Sequence, residues 1–187
     1  MLSPWFVATL LAAASPPASR LADIGPAPRT VLVDSAGKPF DLAAMKGKVV
    51  LVSFVYTTCT GVCPGTTQAM VRIQDALKQA KLWGTPVEFV SITLDPRRDT
   101  PEALGRYARL FGADLAAWHF LTGPPAQVDS VIHAWGMWVR TGPNGALDHP
   151  SRIFLLDRRG HQREIYSLEF LKPDAVLEDV RGLLSEM

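Results

Sequence analysis

Lys48 to Pro64 reads KVVLVSFVYTTCTGVCP, and the three parts of this stretch decide the fold. From Lys48 to Tyr56 the residues are almost all β-branched, aromatic or otherwise apolar, as in a strand buried on both faces of a sheet. Thr57 to Val62 interrupts that pattern with small and polar residues. Pro64 then suits the first position of a helix, and Met70, Ile73 and Leu77 recur at helical spacing through Lys81. A buried strand leading through a loop into a helix is the unit from which layered α/β domains are built.

The same alternation extends in both directions. Upstream, Thr30 to Asp34 alternates like a strand, and the turn at Ser35-Ala36-Gly37-Lys38 brings back Pro39-Phe40-Asp41, so an N-terminal β-hairpin is expected. Downstream, Val87 to Leu94 is a second buried strand, and Thr100 caps a helix that opens on Pro101 and stops before Gly112. Trp118 to Thr122 reads as a short strand and Pro124 to Trp135 as a helix. Ile153 to Asp157 and Glu164 to Tyr166 read as an antiparallel pair turned at Arg158-Arg159-Gly160, and Pro173 to Leu184 as a closing helix. The fold class is therefore α/β, a central mixed β-sheet flanked by helices.

A length of 187 residues is one domain's worth on the prior of ~100–200 residues. The division expected is a leader and Pro/Ala-rich connector over residues 1–28 and one folded domain over residues 29–187. Nineteen basic against eighteen acidic residues give a net charge of +1, too balanced for a protein that neutralises many phosphates, so no nucleic acid is expected as a partner. Trp5 to Ala14 is apolar but only about half the ~20 residues needed to cross a bilayer. It reads as the core of a secretory signal, with Ala12 and Ala14 before a cleavage point. The expected location is periplasmic, with membrane contact at most through this N-terminal segment should it stay uncleaved as a tether.

Cys59 and Cys63 are the only cysteines. In an exported protein such a pair reads first as a disulfide, but so small a loop constrains the unfolded chain little, which favours chemistry over stapling. Cys63 lies beside the expected helix N-terminus, where the dipole and free N–H groups would depress its pKa. Two thiolates are soft donors that suit Cu(I) better than Mg or Ca. Of the four histidines, His133 falls on a helix, His119 in a strand and His161 in a solvated turn. His149 differs, because it sits in the irregular stretch Asn144 to Pro150 before the strand at Ile153, an element able to close over the cysteine loop.

The string Phe54 to Pro64 resembles the C-x-x-x-C-P signature of the Sco/SenC family, thioredoxin-fold proteins that bind copper and help assemble cytochrome c oxidase. The likeness continues through Val90 to Pro101, which is similar to the family's S-x-D-P-x-x-D-T-P stretch with Thr93 in place of Ser. It includes Tyr107 to Gly112, Leu121-Thr122-Gly123, and Asp148-His149 before a strand and a D-x-x-G turn. The resemblance implies a thioredoxin-like fold, Cys59, Cys63 and His149 as copper ligands, and a metallochaperone holding Cu(I) or Cu(II). Its implied recipient is the copper subunit of cytochrome c oxidase, and its implied second partner a thioredoxin-like thiol reductant that opens the disulfide before loading. Asp148 and Asp95 are candidates for groups supporting the ligands. Where the family has Ser or Thr after the histidine, this chain has Pro150.

Other readings of the cysteine loop lead elsewhere. A thiol-disulfide oxidoreductase would use Cys59 and Cys63 alone, yet the pair has three intervening residues and His149 would have no task. A peroxidase is suggested by Thr60-Gly61-Val62-Cys63-Pro64, but Tyr56 stands where the peroxiredoxin motif has Pro. On balance the chain reads as a metal carrier more than an enzyme.

Overall fold

The computed structural model describes residues 21–59, 61–142 and 145–186; the signal segment read at Trp5 to Ala14 lies outside the described residues. Among the described residues no helix is long and apolar enough to cross a membrane. In chain order the elements are β1 (Gly25–Pro26), β2 (Val31–Asp34), β3 (Pro39–Asp41), a 3-10 turn (Leu42–Met45), β4 (Val49–Val55), α1 (Val62–Gln79), β5 (Val87–Thr93) and α2 (Pro101–Phe111). There follow β6 (Trp118–Thr122), α3 (Pro125–Ala134), β7 (Arg140–Thr141), β8 (Leu147–Asp148), β9 (Ile153–Leu156), β10 (His161–Tyr166) and α4 (Pro173–Ser185).

One eight-stranded mixed sheet runs β1-β10-β9-β4-β5-β6-β2-β3. β4, β5 and β6 are parallel neighbours at its centre, and β9 and β2 flank them antiparallel. β4 and β5 are buried along all seven of their residues, which explains their unbroken apolar runs. Alternate residues of β4 serve two cores. Val49, Leu51 and Val55 pack with Met70, Ile73 and Leu77 of α1, Leu104 of α2 and Val176 and Val180 of α4. Val50, Val52 and Phe54 pack with Val128 and Ile132 of α3, Trp135, and both cysteines. Each fully buried Val, Leu or Ile contributes about 1.5–3 kcal/mol, so both faces of the central strands are held strongly and β4 is a rigid base for the loop after it.

The expected elements form, with informative differences at their edges. Thr100 caps α2 by accepting the Ala103 N–H at 3.2 Å, and Gly112 closes it in a left-handed conformation at φ 77°. Helix α1 starts at Val62, so Pro64 sits within the first turn instead of opening it; the N–H it lacks has no partner in that turn in any case. β10 starts at His161, three residues before the strand expected at Glu164, and carries a register shift between Gln162 and Glu164. His161 is therefore no free turn residue, since its Nδ1 meets the Asp23 carboxylate at 2.9 Å. Residues 21–28, expected as connector, are attached: β1 pairs with β10, and buried Arg163 donates to the Leu21 and Ala22 carbonyls. Finally, β7 and β8 form a short separate ribbon where the sequence offers only an irregular loop.

Candidate metal centre

Three loops meet above the carboxyl end of β4. The cysteine loop leaves β4 at Tyr56, turns through the Cys59 N–H to Tyr56 carbonyl bond at 3.2 Å, and enters α1 at Val62. Beneath it, Asp99 in the loop between β5 and α2 is fully buried and accepts from the Thr57 hydroxyl at 2.6 Å, the Thr57 N–H at 3.2 Å and the Thr93 hydroxyl at 2.6 Å. The third loop follows β8 and carries His149.

Both cysteines are free thiols, and His149 Nε2 stands 3.8 Å from Cys63 Sγ. Its other nitrogen, Nδ1, lies 3.0 Å from the Pro150 carbonyl. A carbonyl only accepts, so Nδ1 carries a proton, and the neutral ring then presents its Nε2 lone pair toward the sulfur. Pro150, the departure from the family pattern, is thus the residue whose carbonyl fixes the tautomer. Two donors sharing one ion at ~2.3 Å for sulfur and ~2.0 Å for nitrogen stand roughly 3.5–3.7 Å apart, so the observed separation suits joint ligation with little movement. Among the described residues no group of three His, Cys, Asp or Glu side chains is arranged to hold a metal ion as it stands; the close approach is that of Cys63 and His149.

The thiols differ in a way that reverses the expectation from helix position. Burial pushes the Cys63 thiol up to about 12, aided by its neighbour Cys59. Cys63 is 2% exposed, and desolvation outweighs the helix dipole. Burial also acts to raise Cys59, but side-chain hydrogen bonds from Cys63 and Tyr56 and the backbone N–H groups of Cys63 and Gly61 outweigh it and lower its pKa. Of the two sulfurs, Cys59 is the more readily ionised. Helix α1 acts through the N–H groups it aims at Cys59.

Of the expected supporting carboxylates, neither contacts the imidazole. Asp148 is exposed on β8, paired in register with Arg140, and the bond sought for it is made by the Pro150 carbonyl. Asp95 is engaged locally, accepting from Arg98 at 3.1 Å, while its N–H donates to Thr93 Oγ1 at 2.9 Å. The carboxylate that reaches the cysteine loop is Asp99. Tyr56 was not among the expected site residues: its hydroxyl donates to the Leu147 carbonyl at 3.3 Å and its ring stands edge-on to His149 with centroids 6.0 Å apart. Its place at the end of a buried strand gave it the look of core.

A family model described as SCO1/SenC matches residues 27–185. A SCO1 protein homolog of Bacillus subtilis is 34% identical over 150 residues, 78% of this chain and 76% of its own length. The crystal structure of a SCO1/SenC family lipoprotein from Bacillus anthracis is similar at a TM-score of 0.80 and 28% identity, covering 89% of this chain and 99% of that one. Bradyrhizobium japonicum ScoI, solved with copper bound, is similar at a TM-score of 0.73 and 28% identity, covering 85% and 99%. The thioredoxin-like fold expected from the sequence is the fold of this chain.

Proposed function

The chain belongs to the SCO1/SenC family, and from that premise we propose that it is a copper carrier which holds Cu(I) or Cu(II) through Cys59, Cys63 and His149 and delivers it to the dinuclear copper centre of a respiratory oxidase. The observation that carries this reading is the His149 lone pair standing 3.8 Å from Cys63 Sγ, with its tautomer fixed by the Pro150 carbonyl. Two thiolates and a neutral imidazole give Cu(I) a soft three-coordinate set with net charge of minus one. A three-coordinate ion lets an incoming donor take it by ligand exchange. The apolar segment Trp5 to Ala14 serves export, and the lipoprotein nature of the Bacillus anthracis relative supports a tethered, outward-facing domain.

Loading depends on redox state, because a disulfide removes both sulfur donors and a thiol reductant must restore them. Anaerobic titration tests the reading: reduced protein takes up one Cu(I), oxidised protein takes up none, and Cys59→Ala and His149→Ala each weaken binding at least tenfold. Equal uptake by both redox states would sink it. The division of labour between the thiols favours a second reading, thiol-disulfide exchange with Cys59 attacking and Cys63 resolving. In that case His149→Ala leaves exchange with an exported dithiol intact.

A further inference from the structure

Tyr56 touches both halves of the donor set. Its carbonyl accepts the Cys59 N–H at 3.2 Å, its hydroxyl donates to the Leu147 carbonyl at 3.3 Å, and its ring meets the His149 imidazole edge-on. At 6% exposure the ring is gripped by the core that also holds Phe54, Cys59 and Cys63. Packing alone would be served by an apolar ring; the hydroxyl adds a bond across 91 residues of chain. Its acceptor lies on β8, two residues before His149, in a ribbon whose strands are two residues each. A two-stranded ribbon is marginal by itself in water, so a bond to the rigid end of β4 is a large share of what fixes it.

We infer that Tyr56 is a positioning residue, whose hydroxyl latches the β7–β8 ribbon to the end of β4 and so holds His149 at the cysteine loop. The consequence for metal affinity rests on the three-donor reading above, whereas the latch belongs to the metal-free protein. At 3.3 Å the bond is longer than the ~2.7–2.8 Å usual for a hydroxyl donor, so it restrains the ribbon without locking it. The hydroxyl has one proton, and an ionised Cys59 sulfur competes with the Leu147 carbonyl for it, which defines the competing outcome.

Tyr56→Phe keeps the ring and removes the latch. In reduced, metal-free protein the amides of the β7–β8 ribbon should then exchange with solvent severalfold faster, while the amides of β4 and β5 keep their protection. Cu(I) affinity by competition with a chromophoric chelator should fall roughly tenfold, the low end of what groups supporting metal ligands are worth. Because the hydroxyl acts through His149, adding Tyr56→Phe to His149→Ala should cost nothing further. Unchanged exchange in the ribbon overturns the inference, and so does a tenfold loss that persists without His149, which would assign the hydroxyl to Cys59. Should the wild type take up no Cu(I), the carrier reading fails while the exchange comparison still decides the latch.

Discussion

At the scale of single residues, the two sulfurs show which of two opposing effects wins. A helix N-terminus stabilises a thiolate by about 0.3–1 kcal/mol in exposed settings, whereas removing a thiolate from water costs several times more. Cys63, inside the first turn and 2% exposed, follows burial; Cys59, outside the helix and facing its N–H groups, follows the hydrogen bonds. Iodoacetamide should therefore label Cys59 well before Cys63 in reduced protein at neutral pH, with mass mapping of the modified peptide as readout. Labelling of Cys63 first would contradict the assignment. The sequence discloses that a helix begins near Cys63 but not how deep that position lies, and depth decided the outcome. His149 stood out in the sequence because the other three histidines fell on regular elements or a turn, and the resemblance is what implies its role as a ligand; its hydrogen-bond partner was not legible, because it is the backbone of Pro150.

At the scale of elements, Asp99 joins the loop after β5 to the loop after β4. Its carboxylate takes three donors from Thr57 and Thr93, and burial, which outweighs these bonds, pushes its pKa above 3.8. Asp99→Ala leaves those donors buried and unsatisfied and should destabilise the protein by about 2–3 kcal/mol, measured by urea unfolding. Asp99→Asn retains an acceptor for Thr57 and should lose less. The sign of the pH effect follows from the raised pKa. The folded state favours the protonated acid, so the advantage of wild type over Asp99→Asn is fullest below pH 3.8 and shrinks as pH rises through the folded-state value. The long elements were legible because seven-residue apolar runs and repeated helical spacing leave little choice. The β7–β8 ribbon was not, since two residues per strand carry no period and its pairing is set by tertiary contact.

At the scale of the whole molecule, buried Arg163 on β10 gathers both ends of the described chain. It donates to the Leu21 and Ala22 carbonyls, to Asp157 at 3.1 Å and to the Glu186 carboxylate at 2.9 Å. Burial works to raise Asp157, but the His161 N–H, Arg159 and Arg163 hold its carboxyl below 3.8. Stability from this clasp is therefore present above pH 3.8 and is lost as pH falls through the lowered folded-state value. Arg163→Ala should cost about 3 kcal/mol at neutral pH by thermal or urea unfolding and flatten the acid limb of the stability profile. A loss below half that would show that Arg159 carries the network alone. None of this was legible in the sequence, because it joins residues up to 142 apart through carbonyls that no motif marks.

The clasp and β1 also lie at a telling pole of the sheet. β1 pairs with Gln162 and His161, next to the turn where Arg158 accepts from Gly47 just before β4 begins, whereas the sulfurs follow β4 at its far end. Seven residues at ~3.3 Å each put roughly 20 Å of strand between them. The described chain is thus clasped at the pole where β4 begins, and the sulfurs sit a strand's length away at the opposite pole.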